Sequence, residues 1–128
     1  MLAFVLITTG GLIYILYRPK NLLLFRVSDF LGLDSYIEIW REKASVITLP
    51  SFVINSIPAG LWTASYLILI CDCTRYYNRK TRLLISLPLP VSAILLEFLQ
   101  LPGWCSGVFD IYDIICYLIP IIIFIKVI

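Results

Sequence analysis

The chain has 128 residues, 61% hydrophobic and 14% charged, with a mean hydropathy of +0.98. Soluble domains carry about a quarter charged residues, and so short a chain cannot bury a large apolar excess within itself. These numbers exclude a free soluble enzyme and a disordered segment. A net charge of +2 is too small a footprint for a nucleic-acid binder. The composition therefore predicts an integral membrane protein of one small domain, covering residues 1–128.

The first element is the charge-free run 1–17, with Tyr14 and Tyr17 near its end and Arg18 closing it. About 17–25 apolar helical residues cross a bilayer core, so the run reads as a first span. A signal peptide is the competing reading, but no basic region precedes the run and no small-residue cleavage site follows. Residues 18–49 form the wet connection, and nine of the eighteen charges lie between Arg18 and Ala44. Within it, Asn21 to Leu33 has the broad apolar face of a helix in the membrane interface, with Arg26 and Asp29 paired on its polar side. Ser35 and Glu38 have the spacing of a capping box.

A second span is expected over 50–71, inside a stretch without charge and with Pro50 and Pro58 in its first half. Asn55, Ser56, Gly60, Thr63 and Ser65 make it the most polar span, in the manner of helix–helix contacts in membranes. The basic link 72–82 follows, with Arg75, Arg79, Lys80 and Arg82. A third span covers 83–101, interrupted by Pro88 and Pro90, and a turn at Pro102-Gly103 leads to a fourth over 108–126. The expected fold is thus an all-α membrane bundle of about four transmembrane helices, with an interfacial segment between the first two. Basic residues are tied between the two sides. The denser link 72–82 points that loop and both ends of the chain to the cytoplasm.

Three charges remain inside the spans. Glu97 and Gln100 share a face of the third, while Asp110, Asp113 and Tyr117 share a face of the fourth. An antiparallel turn would set Gln100 level with Asp110, and Glu97 level with Asp113 one turn deeper. Ionisable residues at such depth are functional candidates by default. Carboxylates converging in a low dielectric need a proton, a hard cation or a basic partner such as Arg18, Lys20, Arg26, Arg41 or Lys43. Asn55 falls at the same end, so Glu97, Gln100, Asp110, Asp113, Tyr117 and Asn55 form the candidate binding set. The competing reading is a hydrogen-bonded cluster that only locks the helix hairpin. The sequence has no histidine, and Cys71, Cys73, Cys105 and Cys116 have no metal-ligand spacing, so no resident metal or cofactor is expected. Trp40, Trp62, Tyr76, Tyr77 and Trp104 read as interfacial belt residues.

The stretch Leu96-Glu97-Phe98-Leu99-Gln100, followed by Gly107-Val108-Phe109-Asp110-Ile111-Tyr112-Asp113, resembles the VanZ-like family of small bacterial membrane proteins. That family is marked by Glu-x-x-Gln at the end of one span and Asp-x-x-Asp at the start of the next. The resemblance covers about the last third of the chain and matches Glu97, Gln100, Asp110 and Asp113. It departs at Tyr117 and Pro120, where the family commonly has Asn and Gly, and at Val108 and Phe109, near which the family often has a basic residue. The resemblance implies a multi-pass protein of the bacterial cytoplasmic membrane, working in the cell envelope, and supplies no reaction. The partners expected are membrane lipids, a lipid-linked cell-wall or glycolipid substrate, and a second copy or another membrane protein. The expected function is binding of a polar headgroup, lipid-linked substrate or cation by the acidic cluster. An accessory subunit and a membrane enzyme acting on a lipid-linked substrate are the alternatives.

Overall fold

The computed structural model describes residues 1–19 and 23–128, apart from the side chains of Leu23 and Leu24. The expectations that fall on Lys20, Asn21 and Leu22 lie outside the described residues. Among the described residues the fold is all helical, with no strand. The helices are α1 (Leu2–Tyr17), α2 (Leu23–Phe30), α3 (Asp34–Ala44), α4 (Ser51–Asn55), α5 (Ile57–Cys73), α6 (Arg79–Ser86), α7 (Pro88–Gln100) and α8 (Ile111–Val127).

Helix α1 spans the charge-free first run and stops at Arg18, which turns extended. Helix α3 begins one residue before the expected capping box, with Leu33 as N-cap and Asp34 in its first turn. Ser35 is therefore inside the helix, and the acidic side chain at its positive end is Asp34. Arg41 ties α3 to α1 by donating from Nη1 to the Ile15 carbonyl at 2.5 Å, while its guanidinium covers the Phe25 ring. That carbonyl is one of the last four of α1, which have no partner within the helix.

Helices α4 and α5 are separated only by Ser56, and Pro58 takes an N-terminal position in α5. There its missing N–H removes no bond the helix needs. Together Ser51–Cys73 is the one helix, among the described residues, long and apolar enough to cross a membrane. Its 23 residues reach about 35 Å against a hydrocarbon core of about 30 Å. Only 28% of its most apolar window is buried, unlike the core helix of a soluble protein.

The expected third span is broken. Asn78 caps α6 by accepting the Thr81 N–H at 2.9 Å, so the helix starts at Arg79 rather than Leu83. It ends at Ser86 because Pro88 has no N–H to bond the Leu84 carbonyl and its ring crowds that turn, while Leu87 itself keeps helical backbone at φ −83° and ψ −27°. Helix α7 restarts at Pro88 with a 42° bend between the two.

Helix α5 is the centre of the packing, with α1 on one side and α8 on the other; α7 packs on α8. Antiparallel α1 is fixed by two side chains of α5. Ser65 Oγ donates to the Ala3 carbonyl at 2.8 Å and Trp62 Nε1 to that of Ile7 at 3.3 Å. Helices α5 and α8 run parallel and enclose Leu67, Ile121 and Phe124. Gly60 lets them approach, since a Cβ there would lie 3.0 Å from both Cβ and the carbonyl oxygen of Cys116. Thus 101–110, Arg18 and the α4–α5 joint share one end of the bundle, and the 72–82 link sits at the other.

Candidate functional site: a buried polar cluster at one end of the bundle

The cluster begins with the way α7 stops. Gly103 has a φ of +74°, its N–H bonds the Gln100 carbonyl at 3.0 Å, and the Trp104 N–H bonds that of Leu99 at 3.1 Å. This paired closure satisfies the helix end and needs a left-handed residue, which is why Pro102-Gly103 follows the apolar run. The chain then returns to Asp110, extended at φ −132°, whose Oδ1 accepts the Tyr112 N–H at 2.9 Å and caps α8.

Glu97 is 5% exposed, and its Oε1 accepts the backbone N–H of Asp110 at 2.8 Å. It therefore lies level with Asp110, not with Asp113. The hairpin register is one turn away from that implied by helical spacing, because the ten-residue connection, rather than the helices, sets where α8 begins. Gln100 lays its amide over Gly107, where a Cβ would come within 2.8 Å of it. Two of the candidate carboxylates thus have evident local work: Glu97 ties α7 to the start of α8, and Asp110 caps α8.

Asp113 differs. It is half-buried in the first turn of α8, and its Oδ1 is buried with no hydrogen-bond partner. Tyr117, one turn deeper and half-buried, lies within electrostatic range of Asp113, Glu97 and Arg18. Arg18 reaches in from the end of α1. Its Nη2 donates to the Asn55 carbonyl at 3.1 Å, its guanidinium carbon lies 5.4 Å from the centre of the Tyr14 ring, and its buried Nε has no partner. Asn55 contributes its backbone rather than its side chain to that contact. Beside it, Ser56 is 0% exposed and its Oγ is also without a partner. Contacts of Phe52 with Tyr112, 5.7 Å between ring centres, and of Gly60 with Cys116 bracket Ser56 and set it alongside the first turn of α8.

One donor, one hydroxyl and one acceptor are therefore buried and unpartnered at the same end, from α1, the α4–α5 joint and α8. Each such group costs about 1–3 kcal/mol relative to a satisfied one. The sequence named Asp113, Tyr117 and Asn55 as candidates and placed Arg18 and Ser56 on their side of the membrane. It gave no sign that Arg18 and Ser56 each bury an unpaired atom. The signals, in retrospect, are Arg18 closing a charge-free run and a serine two residues before a proline inside another. Among the described residues, no group of three or more His, Cys, Asp or Glu is close enough to hold a metal ion. The arrangement fits a polar organic group better than a bare cation. It offers a guanidinium N–H to an anion and a carboxylate oxygen to a hydroxyl or amine.

No protein-family model, curated protein or solved structure matches this chain. Fold and site together define an all-helical chain with one span-length apolar helix and a buried polar cluster at one end.

Proposed function

We propose that the chain is a multi-pass protein of the bacterial cytoplasmic membrane, VanZ-like in its α7–α8 hairpin, that binds the polar head of a lipid-linked ligand between Arg18, Ser56 and Asp113. Its four spans are α1, α4–α5, α6–α7 and α8. This membrane reading is supported by the composition, by the little-buried helix Ser51–Cys73, and by large exposed apolar side chains such as Phe4, Leu84, Leu95 and Ile123. The observation that carries the binding reading is Asp113 Oδ1, a buried acceptor with no hydrogen-bond partner in the protein. A phosphate-linked sugar matches the set, with its phosphate on Arg18 and a hydroxyl on Asp113.

The bond from Glu97 to the Asp110 N–H favours a second reading, a structural hairpin lock in an accessory subunit. Native mass spectrometry of the protein, of Asp113→Asn and of Arg18→Gln separates the two. A bound polar lipid in the wild type, lost in both variants, supports binding. Identical spectra from all three samples, or no retained ligand in any, leave only the lock.

A further inference from the structure

The other end of the bundle carries a second feature that the polar cluster does not use. Helices α5 and α8 leave an apolar groove of about 220 Å³ along one side, lined by Ala64, Leu67, Cys71, Pro120 and Val127 among others. A second groove of about 240 Å³ shares Ala64, Pro120 and Ile123 with it and continues toward Gly60 and Ile57. Together they extend along α5 from Ile57 to Cys71, about 21 Å, longer than one leaflet of a 30 Å hydrocarbon core.

The mouth of this groove is basic. Arg82 donates from Nη2 to Sγ of the groove-lining Cys71 at 2.8 Å, and its Nε is buried with no partner. Arg79, also on α6, donates from Nη2 to the Ile125 carbonyl near the end of α8 at 3.3 Å. Lys80 and Lys126 stand exposed nearby in sequence, and Asp72 is the single acid of the 72–82 link. A thiol is a weak acceptor, so the guanidinium keeps most of its capacity for a phosphate, which it binds better than an ammonium does. Apolar length ending at a guanidinium is the pattern of one lipid, with its chain in the groove and its anionic head at the mouth.

We infer that the α5–α8 groove is a binding site for an anionic glycerophospholipid, its phosphodiester held by Arg82. The inference rests on the membrane reading above but is independent of the Asp113 site. It places the basic end at the anionic, cytoplasmic leaflet.

The test is native mass spectrometry of the full chain released from detergent containing equal phosphatidylglycerol and phosphatidylcholine. The wild type is expected to retain phosphatidylglycerol preferentially. Arg82→Gln lowers that occupancy roughly fivefold, the effect of one basic residue near an anionic surface. Ala64→Phe, which fills the groove and leaves the charge intact, removes adducts of both lipids. Asp113→Asn leaves phosphatidylglycerol retention unchanged, which separates this site from the one at the other end. Equal retention of the two lipids by the wild type, or full retention by either the Arg82 or the Ala64 variant, overturns the inference. So does a dimer that Ala64→Phe dissociates, since the groove would then seat a second copy.

Discussion

Glu97 is the residue whose replacement reports most directly on how the hairpin is held. Its Oε1 receives the Asp110 N–H at 2.8 Å from a position 5% exposed, and that bond asks only for an acceptor oxygen. Glu97→Gln keeps such an oxygen at nearly the same reach, so its cost should stay within about 0.5–1 kcal/mol. Glu97→Leu removes it and strands the N–H of the residue that caps α8. The stranded donor costs about 1–3 kcal/mol, partly offset because leucine suits the apolar surroundings better than a carboxyl group. A net loss of about 1–2 kcal/mol follows, or roughly 4 °C in Tm per kcal/mol for a chain of this size. Thermal unfolding in detergent, followed by circular dichroism, gives the three midpoints. If the leucine variant is as stable as the wild type, Glu97 does not pin α7 to α8. If glutamine falls as far as leucine, the charge rather than the acceptor holds the hairpin.

Other substitutions probe neighbouring contacts. Gly107 has a φ of +135°, so Gly107→Ala should cost about 1–3 kcal/mol, and adding Gln100→Ala to remove the clashing amide should recover little of it in chemical denaturation. Gly60→Leu forces α5 away from the Cys116 backbone and should destabilise by about 1–3 kcal/mol, read as a lower Tm. Arg41→Gln loses a charged hydrogen bond to the Ile15 carbonyl, and hydrogen–deuterium exchange of α3 should accelerate while α5 stays protected. Asp113→Leu removes a buried acceptor that has no partner and should raise Tm in ligand-free detergent, by about 1 kcal/mol of stability, while ligand retention disappears.

Helix limits were legible where the sequence punctuates itself. The segments 1–17, 50–71 and 108–126, expected to be helical, meet the helices Leu2–Tyr17, Ser51–Cys73 and Ile111–Val127, because a charge, a proline or an aspartate stands at their ends. Among them only Ser51–Cys73 has the length and apolarity of a membrane span. The third failed as one helix for a reason also present in the chain. Pro88 and Pro90 were expected to interrupt it, and the cap at Asn78 together with the missing N–H of Pro88 divides it into two helices that meet at Leu87. The site was legible in its residue types and not in its register. Spacing of 3.6 relates Glu97 to Gln100, and Asp110 to Asp113, but nothing local says which member faces which across residues 101–110. Likewise the meeting of Arg18 with Asn55 depends on how α1 packs along α5, through Ser65 and Trp62, some forty to sixty residues away in sequence.

The division of work among the carboxylates explains why a costly arrangement can persist. Glu97 and Asp110 are satisfied by backbone N–H groups, so the hairpin is fixed without help from Asp113. Asp113 is then held in the first turn of α8 by structure that does not require it, and its unpaired oxygen is a penalty carried by the free protein alone. A ligand that supplies the missing donor gains that penalty back as binding free energy, since anything that binds only the folded state stabilises it, by about 2.7 kcal/mol at a hundredfold excess over Kd. The same logic applies to the Nε of Arg18 and the Oγ of Ser56, also buried and unpaired at this end of the bundle on segments that other contacts already anchor. Rigid support with unpaired atoms is what a preorganised polar site needs, whereas a hairpin lock would have paired them.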